Sequence, residues 1–253
     1  MRQVDLLRKV FTENDRVCVV VLDALNIKIF KKLYKDKYNI LEVWSDGYDT
    51  KSWLENTFIH NSNNEVFREV VYISGNPWTS ILHDKLSKVF KRVIDVSVKF
   101  WNSELGTVEP KYVTLTTKIF SVVEKKLLVH YLQPHPPFLT SRFTHQPSIT
   151  LEEIGKRMNV EYVIARCNPK ARRLFKKLYI ENLKLVMSEV ERKLTPHLKS
   201  RRFKIYLTAD HGEILSKWRP NPRKLKWVLG ICKYVGHFRN FKELHIVPFI
   251  EIT

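Results

Sequence analysis

The sequence is short of glycine, of cysteine and of acidic residues, and each shortage excludes something. Only 7 glycines occur in 253 residues. There is no low-complexity tract and no repeat at solenoid spacing, which rules out stacked-repeat architectures. The three cysteines, Cys18, Cys167 and Cys232, are too few and too scattered for a disulfide scaffold. Cys18 lies in an apolar run and reads as a small buried residue. No apolar run approaches the roughly 18 residues of a membrane-crossing helix. The opening Met-Arg-Gln-Val-Asp-Leu-Leu-Arg-Lys has no apolar core of signal-peptide length. A soluble protein with a cytoplasmic location is therefore expected.

Acidic residues number 26 against 44 lysines and arginines, for a net charge of +18. Much of the excess falls in runs: Lys31-Lys32, Lys91-Arg92, Lys170 to Lys177, Lys199 to Lys204 and Arg219 to Lys226. Such runs read either as solvated surface or as attraction to a polyanion such as nucleic acid or anionic lipid head groups. Charge alone does not separate the two.

Of the residues present, 44% are hydrophobic, enough for an ample core. Val17-Cys-Val-Val-Val-Leu-Asp23 is a continuous apolar run ending in a carboxylate, the pattern of a central parallel strand covered on both faces. Ligands gather at the carboxyl ends of such strands. Asp23 is then either a site residue or the cap of a following helix, Ala24 to Tyr34. Glu69 to Trp78 is a second strand leading into a polar turn with Asn76. Lys88 to Val98 is rich in β-branched residues and predicts a strand, Trp101 to Pro110 a loop, and Tyr112 to Lys125 a helix. Leu127 to Phe138 is a strand followed by a proline-broken loop that presents His135. His130 sits within that strand, where a core role competes with a site role. Thr150 and Glu153 have capping-box spacing. Ala171 to Leu194 is a long helix, with Leu174, Leu178, Leu185 and Val186 marking its apolar stripe. Lys204 to Glu213 is a buried strand that delivers Asp210, His211 and Glu213 together. Gly212 is expected to let the backbone turn sharply there. A last strand spans 244–252.

Alternating strands and helices with polar clusters at strand ends predict a three-layer αβα sandwich with a mostly parallel central sheet. No linker divides the chain, so residues 1–253 are expected to form a single domain.

Five motifs come in order: Val-Leu-Asp at 21–23, Ser-Asp-Gly-Tyr-Asp-Thr at 45–50, Gln-Pro-His-Pro-Pro-Phe at 133–138, Thr-Ala-Asp-His-Gly-Glu at 208–213 and Gly-His at 236–237. Together they resemble the alkaline phosphatase superfamily, in its sulfatase-like and phosphodiesterase-like branches. The resemblance implies that Asp23, Asp210 and His211 bind one divalent metal ion, zinc or manganese. It implies that Thr50, on the same metal, is the nucleophile. Read by itself, Thr50 is a helix N-cap. His135 and His237 are implied as ligands of a second metal or as contacts to the substrate anion. Asn76, His130, Gln133 and Glu213 are candidate substrate-binding residues. Where the two-metal branch has an aspartate before the histidine equivalent to His135, this chain has His130 and Gln133. Sulfatases use cysteine or serine at the position of Thr50.

The function so implied is metal-dependent hydrolysis of a phosphoester, with an anionic phosphoester as substrate. The alternatives are a binding protein that has kept the fold without turnover, a nucleic-acid-acting relative, and a sulfatase- or phosphoglycerol-transferase-like enzyme. The basic loop from Lys217 to Trp227, with two tryptophans, is a candidate for substrate selection.

Overall fold

The computed structural model describes residues 1–61, 65–139, 160–217, 226, 229 and 231–252. The first half runs α1 (Gln3–Glu13), β1 (Val17–Asp23), α2 (Ile27–Tyr34), β2 (Leu41–Trp44), α3 (Thr50–Leu54), β3 (Val71–Ser74), α4 (Trp78–Ile81), α5 (His83–Leu86) and β4 (Arg92–Asp95). Then come α6 (Ser97–Phe100), β5 (Trp101–Asn102), β6 (Thr107–Val108), α7 (Pro110–Phe120) and β7 (Lys126–Pro134). The chain closes with α8 (Val160–Cys167), α9 (Pro169–Glu189), α10 (Thr195–Ser200), β8 (Lys204–Ala209) and β9 (Ile246–Glu251).

Seven strands form one sheet in the order β2-β9-β8-β1-β7-β3-β4. From β8 through β4 every pairing is parallel, and β9 pairs antiparallel with both β8 and β2. β1 lies at the centre with all seven residues buried, as a continuous apolar run requires of a strand covered on both faces. Helices flank the sheet, giving the αβα sandwich. Register places Val17 level with Lys126 and Lys204, and Leu22 level with Tyr131 and Ala209. The carboxyl ends of β1, β3, β7 and β8 therefore share one edge, and the polar turns gather there.

Several local expectations change. α2 begins at Ile27, because Asn26 caps it by accepting from the Ile29 amide at 2.9 Å. Asp23 is therefore not the cap. The stretch 88–98 yields only the short β4 and then turns into α6. The predicted loop 101–110 holds the β5–β6 hairpin. The predicted helix 112–125 spans 110–120 instead, and the long helix continues past α9 as a π-helical segment to Leu194. The buried stripe of α9 runs through Phe175, Leu178, Tyr179, Leu183 and Val186, whereas Leu174 is exposed. Thr150 and Glu153, and most of the loop from Lys217 to Trp227, lie outside the described residues.

Gly212 is required by close approach. A Cβ there would stand 2.9 Å from the Glu243 carbonyl oxygen, and its amide donates to Leu244 O at 2.7 Å. Ala24 carries the local strain, with φ of 57°, a region an alanine adopts only when its surroundings impose it. Its amide donates to Asp210 Oδ1 at 3.1 Å and its carbonyl accepts from the Tyr179 hydroxyl at 2.6 Å.

Candidate metal centre and active site

Asp23 ends β1, Thr50 opens α3, Asn76 follows β3, His130 lies in β7, and Asp210 and His211 follow β8. All six are buried. Asp49, not Thr50, caps α3: its carboxylate accepts from the Ser52 amide at 2.7 Å in a reciprocal capping box. The threonine hydroxyl is thereby free for another partner. It donates to Asp210 Oδ2 at 2.7 Å and accepts from Asn76 Nδ2 at 3.2 Å. Asn76 also donates to Asp23 Oδ2 at 2.7 Å. Ser45 ties the turn before α3 to Asp210, its hydroxyl donating to the Asp210 carbonyl.

Gln3 sets the spacing of these elements. Its amide donates to Thr208 Oγ1 and Ala209 O at the end of β8, and its oxygen accepts from Trp53 Nε1 in α3. This buried glutamine links the helix of Thr50 to the strand of Asp210. No motif in the sequence marks it.

The centre of the cluster contains buried polar atoms with no partner: Asp23 Oδ1, His130 Nε2 and His211 Nε2. Leaving such atoms unsatisfied is costly, and a cation bound between them would satisfy all three. His211 Nε2 stands 3.4 Å from Asp23 Oδ1 and 3.5 Å from Asp210 Oδ2. His130 Nε2 stands 3.6 Å from Asp210 Oδ2. Ligand atoms of Asp23, His130 and Asp210 all lie within 4.8 Å of one another. Each ring is held from behind, as metal-binding imidazoles are: His211 Nδ1 meets Gly212 O at 2.8 Å, and His130 Nδ1 meets the Tyr72 hydroxyl at 2.8 Å. Carboxylate oxygens with imidazole nitrogens suit a divalent ion such as zinc or manganese. The residues fit a metal, and His130 joins that set although it is expected above only as a substrate contact.

Without a cation the charges lean on one another. Burial works to raise Asp210, but His211, His130 and the Thr50 hydroxyl outweigh it and hold the carboxylate well below its usual range. Burial likewise opposes a charged His211, yet Asp210 and Asp23 push its pKa up to about 10.

Beside this cluster lies a second one. The His237 ring is 4.5 Å from that of His211 and 5.1 Å from that of His135, centroid to centroid. Glu213 is wholly engaged behind it. Its Oε2 takes the Tyr162 hydroxyl and faces His237 Nδ1 at 3.2 Å, and its Oε1 accepts from the Ile214 amide. Glu213 therefore holds His237 in place. The Gln133 amide donates to Thr107 Oγ1 and Val108 O, which pins the β5–β6 hairpin, while its buried Oε1 has no hydrogen-bond partner. The structure thus brings Asp23, Thr50, Asn76, His130, Asp210 and His211 into one cluster, with His135 and His237 adjoining. Tyr72, Tyr162 and Tyr179 complete the surroundings.

No protein-family model matches the sequence, and no curated protein matches it. Solved structures do match. The C-terminal periplasmic domain of EcEptC from Escherichia coli, in complex with Zn, aligns over 96% of this chain and 74% of its own, with TM-score 0.53 and 12% identity. The soluble domain of lipooligosaccharide phosphoethanolamine transferase A from Neisseria meningitidis aligns over 93% and 75%, with TM-score 0.53 and 17% identity. A 2-O GAG sulfatase aligns over 94% and 64%, with TM-score 0.54 and 15% identity. The chain has the fold shared by these proteins, an alkaline-phosphatase-like αβα sandwich. Among its described residues, no helix is long and apolar enough to cross a membrane.

The expectation of a cytoplasmic location is corrected. The Escherichia coli domain and a phosphoethanolamine transferase domain from Campylobacter jejuni are both periplasmic. Cys167 and Cys232, too scattered in sequence to suggest a disulfide scaffold, form a disulfide that joins α8 to the segment leading to His237. Such bonds belong to oxidising compartments.

Proposed function

We propose that the chain is a metal-dependent enzyme acting on phosphate esters, with Thr50 as nucleophile. The observation that carries this reading is the Thr50 hydroxyl. It is buried between Asp210 Oδ2 and Asn76 Nδ2, beside the unpartnered atoms of Asp23, His130 and His211. Asp23, Asp210, His211 and His130 would hold the divalent ion. When bound, that ion supplies Lewis acidity, which lowers the pKa of a nearby hydroxyl and offsets charge on the transferring group.

The residues themselves divide the remaining work. Asp210 Oδ2 aims the Thr50 hydroxyl, and the Asn76 amide favours the alkoxide by donating to the same oxygen. Thr50 Oγ1 passes its proton to Asp210 Oδ2, to which it already donates, and attacks phosphorus. The ester bond to the alcohol breaks and phospho-threonine forms, and Asp210 returns the proton when Thr50 is released. His237, held through Nδ1 by Glu213, presents Nε2 to protonate the departing alkoxide. It then takes the proton of the acceptor that releases Thr50. His135 would contact the substrate anion. A threonine has no route to the formylglycine of sulfatases, so phosphate is favoured over sulfate.

Water as acceptor gives a hydrolase. A second alcohol as acceptor gives a transferase, a reading supported by the likeness to lipooligosaccharide phosphoethanolamine transferase A. The test is turnover of aryl phosphate mono- and diesters by the metal-loaded chain, with and without added alcohols, alongside mass spectrometry for phosphate on Thr50. Thr50→Ala is expected to keep the metal and lose turnover. Unchanged turnover in that variant would falsify the assignment.

A further inference from the structure

The parallel strands all begin at the pole of the sheet opposite the metal cluster, and most begin next to a cation. Val17 is level with Lys126 and Lys204. The Val17 amide donates to Lys125 O, and the Lys204 amide to Arg16 O. Val71 is level with Arg92, beside Lys91. Glu69, Glu124 and Glu251 at this pole are each taken by a lysine, at 2.6, 2.6 and 3.5 Å respectively. Glu13 and Asp15 stand exposed beside Arg16 and reduce the positive excess without reversing it.

Exposed aliphatic side chains rise in the middle of this basic rim. The outer face of α7 carries Leu115 and Ile119, and the turn after it carries Val122 and Val123, 53% and 73% exposed. Their spacing of four, then three and four residues keeps them on one stripe that descends to the pole. Cations flank the turn. Arg16 donates to Ser121 O at 3.1 Å, and His197 meets the Ser121 hydroxyl at 3.0 Å. Arg201 and Lys118 lie near enough to His197 to act, after burial, in lowering its pKa.

We propose that this pole is a docking surface for an anionic lipid bilayer, with Val122 and Val123 entering the head-group region. The charge is complementary to such a surface, and each lysine or arginine near it adds attraction. Protruding aliphatics among cations are what an interfacial membrane contact uses. A single-stranded nucleic acid would call for stacking aromatics, and a protein partner for tryptophan, tyrosine or arginine anchors in a pocket. The crest of this turn is made of valines. β1 is seven residues long, so at roughly 3.3 Å per residue the docked chain would hold the metal cluster about 20 Å further out. The inference is independent of the reading of the site.

The test is sedimentation of the full chain with vesicles of phosphatidylcholine alone and of phosphatidylcholine mixed with phosphatidylglycerol. Binding is expected to the mixed vesicles only and to weaken as salt is raised. The double variant Val122→Ser, Val123→Ser should bind at least about tenfold more weakly, the loss expected for withdrawing one or two buried aliphatic side chains. Both positions are solvent-facing, so its thermal melt should match the parent. Lys118→Glu with Lys125→Glu should weaken binding independently. A parent chain that stays in the supernatant with mixed vesicles would overturn the proposal. So would a double valine variant that binds as the parent does, or binding to RNA or DNA that exceeds vesicle binding and ignores the valines.

Discussion

The Thr50 hydroxyl donates to Asp210 Oδ2 at 2.7 Å, joining the start of a helix to the end of a strand 160 residues later. That one bond separates a nucleophile from a cap. Asp49 performs the capping, so the hydroxyl of Thr50 is not consumed by its own helix.

Replacing Thr50 should separate chemistry from binding. Thr50→Ala is expected to lower turnover by at least about a thousandfold, as loss of a nucleophile does, with metal content unchanged. Thr50→Ser should retain a measurable fraction. Steady-state kinetics paired with metal analysis of the purified variants checks this. A variant that loses metal and turnover together would instead make Thr50 chiefly a ligand.

The groups behind the ligands should tune affinity. Tyr72→Phe removes the hydroxyl that faces His130 Nδ1 and is expected to weaken zinc or manganese binding by about 10- to 100-fold. Competition with a chromophoric chelator measures it. His130→Ala should weaken binding at least as much; an unchanged affinity would remove His130 from the metal set.

Metal uptake should depend on pH in a defined direction. In the metal-free chain His211 keeps its proton until about pH 10, so at neutral pH a binding cation must displace it. Affinity is expected to rise with pH by up to about tenfold per unit, with proton release visible by calorimetry in buffers of different ionisation heat.

The metal-free fold should respond to the same group. The folded pKa of His211 lies above its ordinary 6.5, so its contribution to stability is fully present below pH 6.5. That contribution is lost as pH rises toward 10. Asp210, held low, contributes above its ordinary 3.8 and loses that contribution as pH falls. Thermal melts of the metal-free chain should therefore decline on the alkaline side, and saturating metal should flatten that decline.

Glu213 should prove structural as well as functional. Glu213→Ala strands the Tyr162 hydroxyl and His237 Nδ1 and is expected to cost about 3 kcal/mol, as breaking a buried pair does. Glu213→Gln should be milder in a denaturant melt yet still lower turnover, because His237 loses its charged anchor. Full activity in the glutamine variant would argue against His237 as the proton carrier.

Much of this was legible in the sequence because it depends on local pattern. The apolar run Val17 to Leu22 demands burial on both faces wherever it lies, which makes β1 central. Asp210 and His211 are delivered together by the strand that precedes them. What the tertiary structure alone decided are the pairings across long sequence separations. Asn26 and Asp49 take the capping roles, which leaves Asp23 and Thr50 free. The Gln133 amide and Glu213 are drawn to Thr107, Tyr162 and His237. His130 presents an unpartnered nitrogen to the cluster because Tyr72 takes its other side. Cys167 finds Cys232 across 65 positions. A polar side chain's role is set by which partner satisfies its hydrogen bonds, and when that partner is a hundred residues away, only the fold can name it.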